Sequence, residues 1–459
     1  MFRKIQRIHL VGIGGSGMSG IAEVLITLGY QVTGSDAVPS ENTRRLETLG
    51  GRIFIGHDAA HVDGAQVVVI SSAVPVSNPE VVAARQRVIP VIPRAEMLAE
   101  LMRLKLGVAI AGAHGKTTTT SLVATMLAHA GLDPTFVVGG RVDAMGTHAR
   151  LGRSDLLVAE ADESDGSFLR LSPAIVVVTN IDREHLEYYG SMDRLLEVFL
   201  EFVNKIPFYG VAILCGDDPH LRGLLPHLRK RWVTYGRQES SETPRPDLHA
   251  TSLAFDGWST NFHVHVRGQS LGAFRLNIPG LHNVSNALAA IGVGLELDVP
   301  LDLIRSGVAA FSGVDRRFHI RGERGGVVVV DDYGHHPTEI RCTLRTAKAV
   351  WPGRLVAVFQ PHRYSRTSHL LDDFAHAFVQ ADVVYVMPVY AAGEEAIEGV
   401  SGAILAEHIR ATGHPAVHAV EHTDVLIDHL VRGRQPGDVV ITLGAGDIWK
   451  AGIRMLESL

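Results

Sequence analysis

The 459-residue chain contains little cysteine, no long apolar run and no excess of positive charge. Its two cysteines, Cys215 and Cys342, are too few for a disulfide framework or a cysteine-based zinc site. No apolar run approaches the ~18 residues of a membrane helix, and the N-terminal segment lacks the apolar core of a signal peptide. A net charge of −6 argues against a nucleic-acid-binding protein. We therefore expect a cytoplasmic protein with no nucleic-acid partner and no membrane insertion.

The composition predicts a protein of several packed domains. Hydrophobic residues make up 46% of the chain and charged residues 20%, so there is enough apolar material for real cores. At roughly 100–200 residues per domain, the length predicts two to four domains. Short apolar runs alternate with helical stretches in three successive units, which is typical of α/β domains with parallel sheets. Residues 237–278 alternate in polarity instead and predict an antiparallel insertion in the second unit.

A glycine cluster, GIGGSGMSG (12–20), lies between a predicted strand and a predicted helix. It satisfies the GxGxxG pattern, in which glycines let backbone amides approach a diphosphate at the positive end of the helix. Asp36 lies 19 residues beyond Gly17, at the end of the next strand, and suits a ribose hydroxyl or a base edge. The pattern selects diphosphates rather than one nucleotide. NAD, another nucleotide diphosphate and a plain strand-to-helix turn therefore remain open.

A second glycine cluster, AGAHGKTTT (111–119), also follows a predicted strand and opens a helix. It departs from the strict P-loop pattern because Ile110 stands where the first glycine is expected, but Gly112 permits a shorter loop. In such a loop the backbone amides cradle phosphates, Lys116 neutralises the β and γ oxygens, and Thr117 can bind Mg²⁺. A lysine between a glycine and three threonines has little structural purpose. We therefore predict a triphosphate site.

An acidic run, EADESDGS (160–167), follows a later strand. A carboxylate at the carboxyl end of a strand beside a P-loop is where Mg²⁺ is held, and Glu160 is the first candidate. Glu163 is a candidate for a second cation or a water. His185 follows the next strand and is a candidate ligand of a second metal. A solvated acidic turn and a structural histidine are the alternatives.

The third unit supplies cations on two predicted loops. One loop carries YGHH (333–336), and the other carries His362, Arg363 and Arg366. Both follow strands, and the carboxyl ends of strands form the usual site edge of an open α/β sheet. An arginine fork binds a carboxylate through two hydrogen bonds, although a solvated surface is the alternative. The arginine pair 316–317 lies at the predicted hinge before this unit, where an arginine can reach ATP or a sugar substrate.

Nine segments together resemble one family. They occur in the family's order and span essentially the whole chain, so their joint occurrence is far more specific than any single motif. The segments are GIGGSGMSG, AGAHGKTTTTS, EADESDGSF, TNIDREHLEYYG, LHNVSNALAA, GVDRRF, DDYGHHPTE, QPHRYSRT and GAGDIWK. On these residues the chain resembles the Mur ligase family, and within it the branch that adds the first amino acid of the peptidoglycan stem peptide.

The resemblance implies an α/β fold of three domains. The first, residues 1–98, is expected to be Rossmann-like and to bind a UDP-sugar. The second, residues 99–313, is expected to be a P-loop-type ATPase domain with a mostly parallel sheet. The third, residues 314–459, is expected to be Rossmann-like and to bring the amino acid. UDP thus replaces NAD as the expected ligand of the first glycine loop. The implied UDP-sugar contacts are Gly14, Gly15, Ser16, Gly17, Asp36, Ser71 and Ser72.

The resemblance also implies an ATP site with Mg²⁺, with two ions expected. The implied ATP contacts are Gly112, His114, Gly115, Lys116, Thr117, Thr118, Asn283 and Arg317. The implied metal ligands are Thr117, Glu160 and His185. Asn283 resembles the adenine contact, because an amide can donate to N7 and accept from N6, although a helix N-cap is the alternative. Several relatives hold the second metal with a carbamylated lysine. No lysine here suits that role, so His185 and the substrate would complete the shell.

The amino-acid pocket and the catalytic set follow from the same resemblance. The implied amino-acid contacts are Tyr333, His335, His362, Arg363 and Arg366. The implied catalytic residues are Lys116, Glu160, His185, Arg317 and His335. His335 is a candidate base for the amine because it lies in the predicted amino-acid loop and histidine titrates near neutral pH.

The implied activity is ATP-dependent ligation of L-alanine to the carboxylate of UDP-N-acetylmuramate. It would proceed through an acyl-phosphate, release ADP and phosphate, and serve peptidoglycan synthesis, cell shape and cell division. A related ligase that adds a different amino acid or a peptide is the main alternative. An NAD oxidoreductase fused to a kinase-like domain and a nucleotide sensor are more distant alternatives. The chain is expected to be a monomer or a dimer.

Overall fold

Three β-sheets with their own helices make up most of the regular structure of the described residues. The computed structural model describes residues 5–71, 73–142, 147–237 and 244–459. The chain divides into two compact units. One unit contains the first sheet and most of the second, and the other contains residues 254–260, 278–282 and 313–459.

The first sheet is all parallel, with the strand order β3-β2-β1-β4-β5. Its strands are β1 Arg7–Val11, β2 Gln31–Asp36, β3 Arg52–Ile55, β4 Val67–Ile70 and β5 Val91–Pro93. Its helices are α1 Ser16–Thr27, α2 Glu41–Thr48, α3 Pro79–Gln86 and α4 Arg94–Met102. Strands β2 and β3 lie on one side of β1, and β4 and β5 lie on the other side, so the strand order reverses between β1 and β4. The glycine loop after β1 therefore lies at the switch point, where open α/β sheets bind ligands.

The second sheet has ten strands in the order β15-β14-β13-β12-β11-β10-β6-β9-β7-β8. Its strands are β6 Leu106–Ala111, β7 Thr135–Val142, β8 Thr147–Arg150, β9 Leu156–Glu160, β10 Ile175–Val178, β11 Val211–Cys215, β12 Trp232–Gly236, β13 Leu248–Asp256, β14 Ser259–Val266 and β15 Gln269–Leu276. Its helices are α5 Lys116–His129, α6 Leu186–Tyr189, α7 Met192–Asn204, α8 Pro219–Leu224, α9 Leu281–Glu296 and α10 Leu301–Ala309. The central strands are parallel, and β7 pairs with β8 in the antiparallel direction. The sheet is therefore mixed, with a parallel core.

The predicted antiparallel insertion is a continuation of this sheet. Strand β13 pairs in parallel with β12, and β14 and β15 follow it across the sheet. Two-residue connections join β13 to β14 and β14 to β15, and such short connections join antiparallel strands. The alternating polarity thus marked real strands, but the pattern could not show that they extend an existing sheet. Residues 238–243 of the predicted segment lie outside the described residues.

The third sheet has the order β16-β17-β21-β18-β19-β20, with only the β16–β17 pair antiparallel among the strand pairs described. Its strands are β16 His319–Arg324, β17 Val327–Asp332, β18 Leu355–Phe359, β19 Val383–Val386, β20 Val417–Ala419 and β21 Val439–Leu443. Its helices are α11 Pro337–Val350, α12 Tyr364–His369, α13 Leu371–Ala375, α14 Gly402–Ala411, α15 Thr423–Gly433 and α16 Trp449–Ser458. The central strands β17, β18 and β21 are fully buried and mostly apolar, as expected for a sheet covered on both faces.

The predicted α/β class with three sheet domains is confirmed, whereas the exact domain boundaries stay predictions. Within the described part of the chain, no helix combines the length and the apolar character needed to cross a lipid bilayer.

Candidate active site

A glycine loop joins strand β6 to helix α5. Gly112 has φ +122°, and a Cβ there would collide with the Thr179 hydroxyl and the backbone of Asn180. Gly115 has φ +84° and directly precedes α5. Both backbone conformations favour glycine. Because a glycine N-cap has no side-chain oxygen, the first-turn amides of α5 remain for a ligand.

The loop after β10 holds this glycine loop in place. The His114 amide donates to Asn180 Oδ1 at 2.9 Å, and Asn180 Nδ2 donates back to the His114 carbonyl at 2.9 Å. Thr179 Oγ1 donates to the same carbonyl at 2.6 Å. The His114 ring lies 2.9 Å from Asp182 Oδ2. The predicted ATP residue His114 is thus fixed at several points. The TNIDREH motif contains these partners, but the sequence alone did not assign them this role.

Lys116 is anchored at the mouth of the loop. Its Nζ donates to the carbonyls of Gly112 at 2.6 Å and Ala113 at 3.2 Å, and to Glu163 Oε1 at 2.8 Å. Burial by itself lowers the pKa of Lys116, but Glu163 and neighbouring carboxylates outweigh burial and raise that pKa above its usual value. The lysine is therefore a fixed positive charge at the position where phosphate oxygens would arrive.

Three side chains beside Lys116 form a group suited to a divalent cation. Glu163, Glu184 and His185 each bring one ligand atom to within 4.8 Å of the others. Glu163 is 2% exposed, and its Oε2 is buried with no hydrogen-bond partner among the residues that the structure describes. A buried carboxylate oxygen without a partner is costly unless a ligand satisfies it. The donor set fits Mg²⁺, which proteins hold through one or two carboxylates together with substrate phosphates.

The predicted metal ligands differ in whether the structure places them in this group. His185 belongs to the group just described and has φ +59°, which is unusual for a non-glycine residue. Thr117 is half-buried in the first turn of α5. Glu160 is not in the group, and its Oε1 accepts from the Gly139 amide at 2.7 Å. Glu184 is a candidate that the sequence pattern did not single out.

Two asparagines of α9 lie on another side of the glycine loop. Asn286 Oδ1 accepts from Thr119 Oγ1 at 3.2 Å and lies 2.7 Å from the place of a Cβ on Gly115. Asn283, the predicted adenine contact, is buried and accepts from Asn286 Nδ2 at 3.2 Å. Thr118 is also buried, so its backbone amide is the group it can offer. Asn283 thus contacts Asn286, which in turn lies against the glycine loop, and Asn286 is a further residue of the site.

The first glycine loop lies between β1 and α1. Asp36 Oδ2 accepts from the Gly14 amide at 2.8 Å, so this carboxylate holds the loop itself. The Ser71 hydroxyl, just after β4, lies 3.3 Å from the place of a Cβ on Gly12. The predicted UDP-sugar residues that meet at this edge are Gly14, Gly15, Ser16, Gly17, Asp36 and Ser71. Ser72 lies outside the described residues.

Arg94, at the start of α4, lies between the first glycine loop and the acidic run after β9 and was not predicted. Its Nη1 lies 2.7 Å from the place of a Cβ on Gly17, and its Nη2 donates to Asp162 Oδ2 at 3.0 Å. Burial by itself raises the pKa of Asp162, but Lys116 and Arg94 outweigh burial and lower that pKa below its usual value. No motif marks Arg94, because its partners come from distant parts of the chain.

The third sheet brings the predicted amino-acid residues together. The His335 ring lies 5.3 Å from the Tyr333 ring and 5.9 Å from the His362 ring. Arg366 Nη1 lies 3.4 Å from His362 Nδ1. Arg363, with φ +69°, begins the following turn. The loops after β17 and β18 therefore form one cluster, as their places at strand ends predicted.

Tyr390 completes this cluster. Its ring stacks on the His362 ring, with 5.5 Å between the ring centres and an interplanar angle of 8°. No sequence motif predicted this contact. Burial lowers the pKa of His362, and His335, Arg366 and Arg363 lower it further, to about 3. His362 is therefore neutral near pH 7, and the two arginines carry the positive charge of the cluster.

Arg317 lies beside the same cluster. Its guanidinium is 5.0 Å from the centre of the Tyr333 ring, and its Nη1 is 3.4 Å from Glu339 Oε1. The neighbouring Arg316 pairs with Asp331 Oδ2 at 3.2 Å. Arg317 is thus placed by residues of the amino-acid loop. Its contact with ATP stays a prediction.

Comparison with known proteins decides the family. Residues 7–106 match the Mur ligase family catalytic domain, residues 110–294 the Mur ligase middle domain, and residues 316–446 the Mur ligase glutamate ligase domain. The chain belongs to the Mur ligase family. The order of these three domains agrees with the order of the three sheets.

Individual members of the Mur ligase family are similar to this chain over nearly their full length. The UDP-N-acetylmuramate–L-alanine ligase of Geobacter sp. (strain M21) is 56% identical, over 100% of this chain and 99% of that protein. The UDP-N-acetylmuramate–L-alanine ligase of Myxococcus xanthus is 54% identical, over 100% of this chain and 96% of that protein. The crystal structure of UDP-N-acetylmuramate–alanine ligase from Thermotoga maritima has a TM-score of 0.82 at 31% identity, over 98% of both chains. A murein peptide ligase from Psychrobacter arcticus has a TM-score of 0.71 at 25% identity, over 99% of this chain and 98% of that chain.

Proposed function

We propose that this chain is an ATP-dependent ligase that joins L-alanine to the carboxylate of UDP-N-acetylmuramate in peptidoglycan precursor synthesis. The observation that carries the proposal is the position of Lys116, whose ammonium lies between the Gly112 carbonyl and Glu163 at the amino end of α5. A fixed cation at the amino end of a helix is the arrangement that binds and transfers a phosphoryl group. Full-length relatives at 56% and 55% identity carry the alanine ligase name.

The first step is activation of the muramate carboxylate. A carboxylate oxygen attacks the γ-phosphorus of ATP in line, the bond from that phosphorus to the β–γ bridging oxygen breaks, and ADP leaves. Lys116 and the first-turn amides of α5 hold the phosphates and neutralise the charge that develops on their oxygens. Asn283 and His114 are assigned to the nucleotide, as the sequence predicted. The protein needs no covalent nucleophile, because positioning and charge neutralisation supply the catalysis.

Mg²⁺ would be held by Glu163, Glu184 and His185, and when bound it supplies positive charge to the phosphate oxygens. Glu160 and Thr117 stay candidate ligands, for one ion or for the second. Support for this assignment comes from the buried Glu163 Oε2, which has no hydrogen-bond partner among the described residues.

The second step forms the amide. The alanine amine attacks the acyl carbonyl carbon, and phosphate leaves as the carbon–oxygen bond breaks. Arg363 and Arg366 are assigned to the alanine carboxylate, which suits a guanidinium. His335 is assigned as the base for the amine. His362 is neutral, because its pKa is lowered to about 3, and its ring packs against that of His335.

The sugar nucleotide is assigned to the first glycine loop. The amides of Gly15 to Gly17 at the start of α1 suit its diphosphate, and Arg94 adds a positive charge beside them. We further propose that the protein works in the cytoplasm as a monomer or a dimer, in accordance with the expectations from its sequence.

Phosphate release tests the proposal. Purified protein with ATP, Mg²⁺ and UDP-N-acetylmuramate is offered single amino acids and, separately, the tripeptide L-alanyl-γ-D-glutamyl-meso-diaminopimelate. We expect the largest rate with L-alanine and none without the sugar nucleotide. A preference for the tripeptide would support the murein peptide ligase alternative. No ADP with any acceptor would refute both.

A further inference from the structure

Glu339, in the first turn of α11, contacts the loop that carries His335 through both the backbone and a side chain. Its Oε2 accepts from the backbone amides of His335 at 3.0 Å and His336 at 3.3 Å. The same oxygen lies 3.4 Å from His335 Nδ1, and Oε1 lies 3.4 Å from Arg317 Nη1. A helix cap needs only the backbone contacts. The additional contact with the ring is unnecessary for capping and points to a role in the chemistry of His335.

The second observation concerns the tautomer of His335. Its Nδ1 lies 3.1 Å from the Tyr333 carbonyl oxygen, which can only accept. Glu339 Oε2, which lies 3.4 Å from the same nitrogen, is an acceptor as well. The proton of the neutral ring is consequently on Nδ1, and the lone pair is on Nε2. A histidine whose Nδ1–H is held by a carbonyl oxygen, with a carboxylate 3.4 Å from the same nitrogen, is suited to act as a general base that becomes an imidazolium during the reaction.

We propose that Glu339 is a positioning residue for amide formation: it holds the His335 ring and stabilises the imidazolium that forms when Nε2 takes a proton from alanine. This inference rests on the proposed function, and it assigns the base step to a pair of residues rather than to His335 alone.

The proton balance is as follows. Free alanine carries an ammonium near neutral pH and cannot attack a carbonyl. His335 Nε2 accepts one ammonium proton, the free amine attacks, and a tetrahedral intermediate forms. The carbon–oxygen bond to phosphate then breaks, and the second amine proton leaves with the departing phosphate group. The imidazolium returns its proton to solvent.

Charged neighbours affect this step in opposite directions. Arg317 pairs with Glu339 and reduces the negative charge that the carboxylate presents to the ring. Arg366 contacts His362, whose ring lies 5.9 Å from the His335 ring. Both arginines disfavour an imidazolium at His335, so a carboxylate within 3.4 Å of Nδ1 is the group that compensates.

The experiment compares two nucleophiles with E339Q. Hydroxylamine is unprotonated at neutral pH and captures an acyl-phosphate as a hydroxamate without a base, whereas alanine must first lose a proton. We expect E339Q to lower alanine ligation about 10- to 100-fold, as loss of a residue that orients a functional group does, and to leave hydroxamate formation unchanged. Glutamine keeps the helix cap, and E339D, which keeps the charge, should recover part of the alanine rate.

Ser401→Ala is the matched control, because Ser401 caps α14 of the same sheet domain through the Ile404 amide at 3.2 Å. It should lower the melting temperature without changing the ratio of the two products. An equal fall of both products in E339Q, or full alanine ligation, would overturn the inference. If E339Q does not fold, E339D is compared with the wild type in the same way. Absence of hydroxamate with the wild-type protein would instead count against the proposed function.

Discussion

Replacement of Lys116 by alanine should separate catalysis from stability at the centre of the proposed ATP site. The variant removes the cation between the Gly112 carbonyl and Glu163. Loss of a charge aimed at the transferred phosphoryl group should cost about 4 kcal/mol in the transition state, or ~10³-fold in turnover. The same change leaves the Glu163 carboxylate, whose side chain is 3% exposed, without its ionic partner.

The cost in folding should come from that unpaired carboxylate. Removal of one partner of a buried ion pair costs about 3–5 kcal/mol. Burial raises the pKa of Glu163 in the protein that still carries Lys116, so without the lysine it should take up a proton and limit the cost. We therefore expect the lower end, about 3 kcal/mol, which corresponds to a fall of roughly 6–12 °C in melting temperature for a domain of this size.

A double variant distinguishes the two effects. In K116A/E163Q the buried acid is gone, so the melting temperature should recover most of its loss while the turnover stays low. The assay is phosphate release at saturating substrates, with calorimetry on the same samples. Lys105→Ala is the control, because Lys105 is also partly buried in this domain but donates to the carbonyls of Ser154 and Gly152. Turnover of K116A within tenfold of the wild type would refute the assignment of Lys116 to the transferred phosphate.

Three further outcomes are expected. Burial by itself raises the pKa of Glu80, but the His9 ring 3.7 Å away and hydrogen bonds with Ser35 and His61 outweigh burial and bring the pKa to about 2 from 4.5. Since the pKa of Glu80 is lower in the folded protein than in the unfolded chain, its stabilising effect is present above pH 4.5 and is lost as the pH falls towards 2. In thermal scans, E80Q should therefore lower the melting temperature at pH 7 and differ little from the wild type at pH 2. In initial-rate measurements, Arg94→Ala should raise KM for the sugar nucleotide about tenfold. Its stability should change little, because the ion pair of Arg94 with Asp162 is partly exposed. The control Arg87→Ala, which breaks an exposed ion pair in the same domain, should leave KM unchanged. Removal of divalent cations with a chelator should weaken ATP binding measured by titration calorimetry, and E163Q should make that loss smaller.

The sequence predicted those parts of the site that lie close together along the chain. Gly112, Gly115 and Lys116 occupy one loop and one helix start, so their spacing already determines their relation. Likewise, the loops with His335 and His362 follow parallel strands, and the carboxyl ends of such strands meet at one edge of a sheet. The sequence pattern therefore found the glycine loops, the amino-acid cluster and the α/β class.

Contacts between distant segments could not be predicted in this way. Glu163 reaches Lys116 only because β9 and β6 are neighbours in the second sheet, and strand order is not written in the periodicity of either strand. Asn286 reaches Gly115 through the packing of α9. Glu160 was preferred to Glu163 as a metal ligand because it ends the strand, but in the structure Glu160 accepts from the Gly139 amide, whereas Glu163 faces Lys116.

Three cations near the candidate substrate sites share one electrostatic feature. Lys116 pairs with Glu163, Arg94 with Asp162, and Arg317 with Glu339, so each of these three cations already has a carboxylate partner. These partners hold the long cationic side chains in place, which reduces the conformational entropy lost when an anionic substrate binds. The same carboxylates repel the substrate, and the repulsion is strongest at Glu163, which is the most buried of the three acids. We therefore expect that a triphosphate binds tightly there only together with a second cation. The structure thus gives a physical reason why the phosphate site, rather than the sugar or amino-acid site, should depend on a metal ion.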